Sequence, residues 1–250
     1  MSAELDKAHL VRGDRAILNT ATGTCVQGRF TALCGPNGAG KTTALRIMTG
    51  SLDPDNGRAL LGGEDIRHIQ KTTLARRRAV VSQSSVLSFP FLVHEVVTMG
   101  RSPHFGTPGQ KRDDLIVEDA MAAMEIDNLA TRNYLTLSGG ERKRVDIARA
   151  LAQVWDQPDT GHARWLFLDE PTSALDLKHQ IALMERLSAL AKQGWGVVAV
   201  LHDLHLVHEH ADDVWLFKNG EIIAKGDARN VLTETSVQTT FDLAAPYALT

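Results

Sequence analysis

Residues 35–42 read GPNGAGKT, and this stretch narrows the possible folds more than any other part of the chain. It matches the pattern G-x-x-x-x-G-K-[ST] without a mismatch. An apolar run, FTALC at 30–34, precedes it, and ALRIMTGSL with helical spacing follows. A strand that passes through a glycine turn into a helix aims backbone N–H groups and the positive helix end at one point, which suits a phosphate. Gly35, Pro36, Asn37, Gly38, Ala39 and Gly40 would wrap the phosphates, and Lys41 would reach the β- and γ-phosphates. The Thr42 hydroxyl would ligate Mg²⁺, and Thr43 would donate to the α-phosphate.

Strand and helix patterns alternate downstream. AVVSQ (79–83), RWLFLDE (164–170) and GVVAVLHD (196–203) read as strands, the last two of the fully buried parallel kind. HQIALMERLSALAKQG reads as an amphipathic helix ending at Gly194, and VWLFKNGEIIAKG as a hairpin turning at Asn219-Gly220. DDLIVEDAMAAMEIDN (113–128) reads as a helix with Leu115, Ala122 and Met124 interleaved among its acids. DQPDTGHA (156–163) reads as a polar surface loop. This order implies an α/β fold around a parallel sheet. Residues 84–155 hold helical patterns and no clear strand. We therefore expect one domain over 1–250, with a helical subdomain at about 84–155 inserted into a core of 1–83 and 156–250.

Composition limits the partners. With 250 residues, 43% of them hydrophobic, the chain can bury a sizeable core. A net charge of −3 gives no general attraction to nucleic acid. The run RRR (76–78) with Lys71 reads as an exposed basic patch, and no aromatic residues interleave with it as base stacking would need. No nucleic-acid partner is expected. Cys25 and Cys34 match no metal spacing and read as buried free thiols. MSAELDKAHLVRGD has no apolar signal core, and no apolar run approaches the ~18–20 residues of a membrane span. Any membrane role is expected to run through a partner.

Polar residues close the apolar strands. Asp169 would sit beside the metal and hold it through water, and Glu170 would polarise the attacking water as a general base. Gln83 would ligate Mg²⁺ or the water, and His202 would hydrogen-bond the γ-phosphate. Asp176, in SALD, would shape the water site. Parallel strands expose their C-terminal ends on one rim, where the phosphate loop also lies.

LSGGE (137–141) opens a helix and looks like a second phosphate site. The phosphate loop, Gln83, LSGGE, WLFLDEP, SALD and His202 occur in the order and rough spacing of ATP-binding cassette (ABC) ATPases, which the chain resembles over nearly its whole length. LSGGE is the specific element, since phosphate loops occur in many other nucleotide hydrolases. The resemblance implies a P-loop NTPase core, ATP with Mg²⁺, and ATPase activity. It also implies that Ser138, Gly139 and Gly140, with Glu141 beside them, bind the γ-phosphate of a nucleotide held by a second copy. The chain departs from the family in two places. No aromatic residue precedes Phe30 to stack on adenine, and His9, Leu10 and Val11 occupy that region. Arg142 and Lys143 stand where glutamine is common, on an expected solvated face.

A lone domain without membrane spans suits an importer subunit. SSVLSFPFLVHEVVTMGRSPH places Phe89, Phe91 and Leu92 in a turn-rich stretch, where an exposed apolar groove would take a permease helix. Together with ARALAQVW and RWLFLDEPTSALDLKHQ it is similar to the ATPases of haemin importers, relatives of siderophore and vitamin B12 importer ATPases. That resemblance implies a homodimer on two membrane permease subunits, served indirectly by a periplasmic binding protein, at the cytoplasmic face of the bacterial inner membrane. Two alternatives stay open: a siderophore or vitamin B12 importer, and a soluble non-transport ABC ATPase of cofactor assembly or DNA repair. HDLHLVHEH offers a further reading, with His202, His205, His208 and His210 spaced as a metal or haem site would be; the plainer one is a phosphate-site His202 and a decorated helix.

Overall fold

The computed structural model describes residues 1–83, 87–155, 164–173 and 175–244. Strands β1 (Ser2–Arg12), β2 (Arg15–Val26), β4 (Asn56–Leu61) and β5 (Glu64–Asp65) form an antiparallel sheet in the order β2-β1-β4-β5. Strands β3 (Phe30–Cys34), β6 (Arg78–Val81), β7 (Trp165–Asp169), β8 (Gly196–Val200), β9 (Asp213–Lys218) and β10 (Glu221–Asp227) form a second sheet in the order β10-β9-β3-β8-β7-β6. All its neighbours run parallel except β10, which pairs antiparallel with β9 at the edge. The β9–β10 turn, Asn219-Gly220, has φ of 50° and 82°, as a tight hairpin of this kind requires.

The central strands are buried on both faces and feed two cores. Phe30, Ala32, Leu166, Leu168, Val197 and Ala199 join one cluster. Leu33, Trp165, Phe167, Val198 and Val200 join the other, with the antiparallel sheet and the helix α1 (Lys41–Met48). This is the period-two alternation of a strand expressed as two separate cores. In the β7–β8 ladder Trp165 sits opposite Gly196. A Cβ on Gly196 would lie 2.3 Å from the Trp165 indole. Gly196→Ala is therefore expected to destabilise the fold by about 1–3 kcal/mol through overpacking, read as a lower denaturation midpoint in urea.

The remaining helices are α2 (Lys71–Arg77), α3 (Val93–Thr98), α4 (Asp113–Ala123), α5 (Gly139–Val154), α6 (Leu177–Lys192), α7 (Leu204–His210), α8 (Ala228–Val231) and α9 (Glu234–Phe241). Between 87 and 155 the described residues hold α3, α4, α5 and short 3-10 turns, with one isolated bridge, Leu92 to Asn133. Helix α5 packs on α3 and α4 and also on α2, β6 and β7, so it ties that helical segment to the sheet. Two buried polar contacts fix it: the Tyr134 hydroxyl donates to Asp146 Oδ1 at 3.0 Å, and Arg101 Nη1 donates to the Ala152 carbonyl at 2.6 Å.

Several expectations need correction. The antiparallel sheet escaped the sequence reading because β1 slips register between Leu5 and Ala8, where Lys7 has φ 51°, which breaks the apolar alternation. In α4 the buried face is Ile116, Val117, Ala120 and Met121, while Leu115 points outward. The arginine run is not an exposed patch. Arg76 donates to the Pro103 carbonyl, Arg77 pairs with Glu64, and burial pushes the Arg78 pKa down. Cys25 and Cys34 are buried free thiols whose pKa burial pushes up to about 12. Among the described residues no helix is long and apolar enough to cross a membrane. The loop at 156–163, residues Ser84, Ser85 and Val86, and Ala174 of SALD lie outside the described residues.

Candidate functional site

Four adjacent strands, β3, β8, β7 and β6, end on one rim and place the candidate residues there. After β3 the chain turns through Gly35 (φ 144°) and Gly40 (φ 101°) into α1. A Cβ on Gly35 would lie 2.2 Å from the Phe217 carbonyl oxygen, and one on Gly40 would lie 2.7 Å from that of Ile17. Only glycine gives both the backbone angles and the clearance. The first-turn N–H groups of α1 have no intrahelical acceptor and face the loop. Lys41 is buried, and its Nζ donates to the Gly35 and Pro36 carbonyls at 2.7 and 2.8 Å. Burial pushes its pKa down, opposed by the nearby carboxylates of Glu170 and Asp169. A cation enclosed by loop carbonyls is what a phosphate would draw outward.

Next to the loop, the Thr42 hydroxyl donates to Asp169 Oδ1 at 2.9 Å. Asp169 is only 6% exposed, and burial raises its pKa. A buried carboxylate beside a hydroxyl is a donor set for a hard divalent cation, so the residues present fit Mg²⁺. Glu170 follows with φ 51°, a strained backbone angle for a non-glycine residue. Its carboxylate is held from both sides: Gln83 Nε2 donates to Oε2 at 2.8 Å, and His202 Nε2 meets Oε1 at 2.8 Å. The rim thus gathers Lys41, Thr42, Gln83, Asp169, Glu170 and His202. His202, expected at the γ-phosphate, meets the Glu170 carboxylate in this structure.

The signature residues lie elsewhere. Ser138 caps α5: Glu141 N–H donates to Ser138 Oγ at 3.2 Å, and Ser138 N–H donates to Glu141 Oε2 at 2.8 Å. Such a cap contributes about 1 kcal/mol. Glu141 also pairs with Arg132 at 3.2 Å, and hydrogen bonds from Ser138 hold its pKa down. Ser138, Gly139, Gly140 and Glu141 line an open cleft of about 580 Å³ with Arg144, Leu175, Asp176 and His179. Among the described residues this cleft shares none with the rim cluster. Asp176 therefore sits with the signature residues, and it caps α6.

Two features escaped the sequence reading. Lys143 does not lie on a solvated face: it is 8% exposed, and its charge acts on Asp146, Asp169 and Glu170. Arg15 lies near the loop: a Cβ on Gly38 would be 4.0 Å from its Nη2. His9 instead sits in β1 opposite Asn56 of β4. The His202–His210 run does not converge either, and among the described residues no three His, Cys, Asp or Glu side chains are grouped to hold a metal ion.

Residues 18–173, more than half of the chain, match the family model described as ABC transporter. The chain belongs to the ABC transporter family. It is an ATPase of that family and binds ATP. The hemin import ATP-binding protein HmuV of Hahella chejuensis is 43% identical over 236 residues, covering 94% of this chain and 90% of that protein. The HmuV of Bartonella quintana is 37% identical over 235 residues, covering 94% and 89%. A putative metal-chelate type ABC transporter solved in an inward-facing conformation matches with a TM-score of 0.80 at 27% identity, covering 97% of this chain and 89% of that one.

Proposed function

We propose that this ABC ATPase powers haemin import across a bacterial inner membrane, as a homodimer bound to two permease subunits and served by a periplasmic binding protein. The observation that carries the transport reading is an open groove of about 420 Å³ beside α3. His94, Thr98, Met99, Arg101 and Phe105 line it, and Phe105 is 79% exposed. Phe89, 68% exposed, stands in the segment leading into α3. Val93, Val96 and Val97 are buried beneath. An apolar groove with exposed aromatics fits an amphipathic permease helix. A soluble ATPase without a permease gives no reason for that surface. The relatives named for hemin import support haemin as cargo.

Hydrolysis follows from the rim residues. The phosphate loop and Lys41 hold the triphosphate, and Thr42, Asp169 and Gln83 would hold Mg²⁺, which neutralises charge building on the phosphate oxygens. Glu170 takes the proton of the attacking water, and Gln83 and His202 fix its carboxylate in place. Ser138, Gly139 and Gly140 complete the site of the opposing copy, so ATP draws two chains together. The test is ATP hydrolysis by the complex reconstituted with its permease and binding protein in vesicles. Haemin should raise the rate above that of the complex without cargo. A rise with ferric siderophores or vitamin B12, and none with haemin, would overturn the cargo assignment.

A further inference from the structure

The cleft at the start of α5 holds one group that the hydrolysis reading leaves unused. His179 lies in the first turn of α6 and lines the cleft with Ser138, Gly139, Gly140 and Arg144. Its Nδ1 is 2.7 Å from Asp176 Oδ1, and the same oxygen accepts the His179 backbone N–H at 3.0 Å. Those two hydrogen bonds, the backbone one first, hold the Asp176 carboxyl pKa below its ordinary value. An ionised carboxylate only accepts, so Nδ1 must carry a proton. The ring is thereby oriented, and Nε2 is left for a ligand.

The surroundings decide what that ligand is. Glu141 is occupied by Ser138 and Arg132, so its charge is compensated. The other charged side chains that line the cleft are Arg144 on α5, whose Nη1 also donates to the Glu125 carbonyl at 3.2 Å, and Asp176 at the start of α6. The N-terminal ends of α5 and α6, each 16 residues long, border the cleft. Helix ends, Arg144 and an imidazole between them favour an anion.

Resting on the reading that this cleft completes the ATP site of an opposing copy, we propose that His179 is a further nucleotide-binding residue, donating from Nε2–H to the terminal phosphate of the ATP held by the partner. With Nδ1–H on Asp176 and Nε2–H on the phosphate, both ring nitrogens donate and the ring bridges the two anions. Asp176 is then a positioning residue that aims the ring.

The test uses the full chain carrying Glu170→Gln, with the ATP concentration for half-maximal dimer formation read by light scattering. Adding His179→Ala should raise that concentration by about 10-fold, the loss of one charge-assisted hydrogen bond. His179→Arg, which keeps a cationic donor, should recover most of it, and binding of a fluorescent ATP analogue to the single chain should not change. An unchanged concentration in His179→Ala overturns the assignment, as does an equal loss in Ala and Arg, which would mark a purely structural role. If the Glu170→Gln parent itself forms no dimer with ATP, the composite-site reading fails and takes this assignment with it.

Discussion

Glu170→Gln lowers ATP turnover by a factor of about 10²–10⁴, the usual contribution of a positioned general base. Steady-state phosphate release by the permease-bound protein checks it. The substitution removes the basic oxygen and keeps the shape. An amide fits the same space between Gln83 Nε2 and His202 Nε2, each 2.8 Å from the carboxylate. ATP binding should therefore survive, so that the variant binds and does not turn over. A variant that hydrolyses within a few-fold of the native rate would mean that another group takes the proton.

Lys41→Met loses turnover by about 10²–10³, as when one preorganised donor to a developing charge is removed. Weaker ATP binding should accompany it, read by equilibrium titration. Methionine fills the space of the lysine stem but leaves the Gly35 and Pro36 carbonyls without their 2.7 and 2.8 Å donor. Lys41→Arg should not rescue. The loop closes tightly around the ammonium, with the Phe217 carbonyl against Gly35, and a planar fork is larger than a point charge. Recovery of binding in the arginine variant would show that charge alone is enough.

What could be read from the chain divides along a physical line. The phosphate loop, the β7 strand ending in Asp169 and Glu170, and the Asn219-Gly220 turn are local signals, set by glycine geometry and by short apolar runs. They specify their own backbone, and so place the rim. The positions that escaped depend on distant packing. Lys143 is buried because α5 lies against β6 and β7, which nothing in ERKR encodes. The arginine run is absorbed by Pro103 and Glu64, each more than ten residues away in sequence. Asp176 sits with the signature residues because α6 and α5 start side by side, a matter of tertiary placement. The antiparallel sheet failed to stand out because a register slip at Lys7 mixes two alternating patterns into one that looks irregular.

The rim cluster and the Ser138 cleft share no residue among those described, and in the proposed mechanism each holds part of what triphosphate hydrolysis needs. That separation is the centre of the functional reading: a chain alone has a phosphate loop without the second wall of its site. The direct measurement is the solution mass of the Glu170→Gln chain, by light scattering, with and without ATP. ATP should take it from one chain to two, and Ser138→Arg in the same chain should keep it single at every ATP concentration. A chain that stays single with saturating ATP, or that pairs regardless of Ser138→Arg, would contradict the composite site.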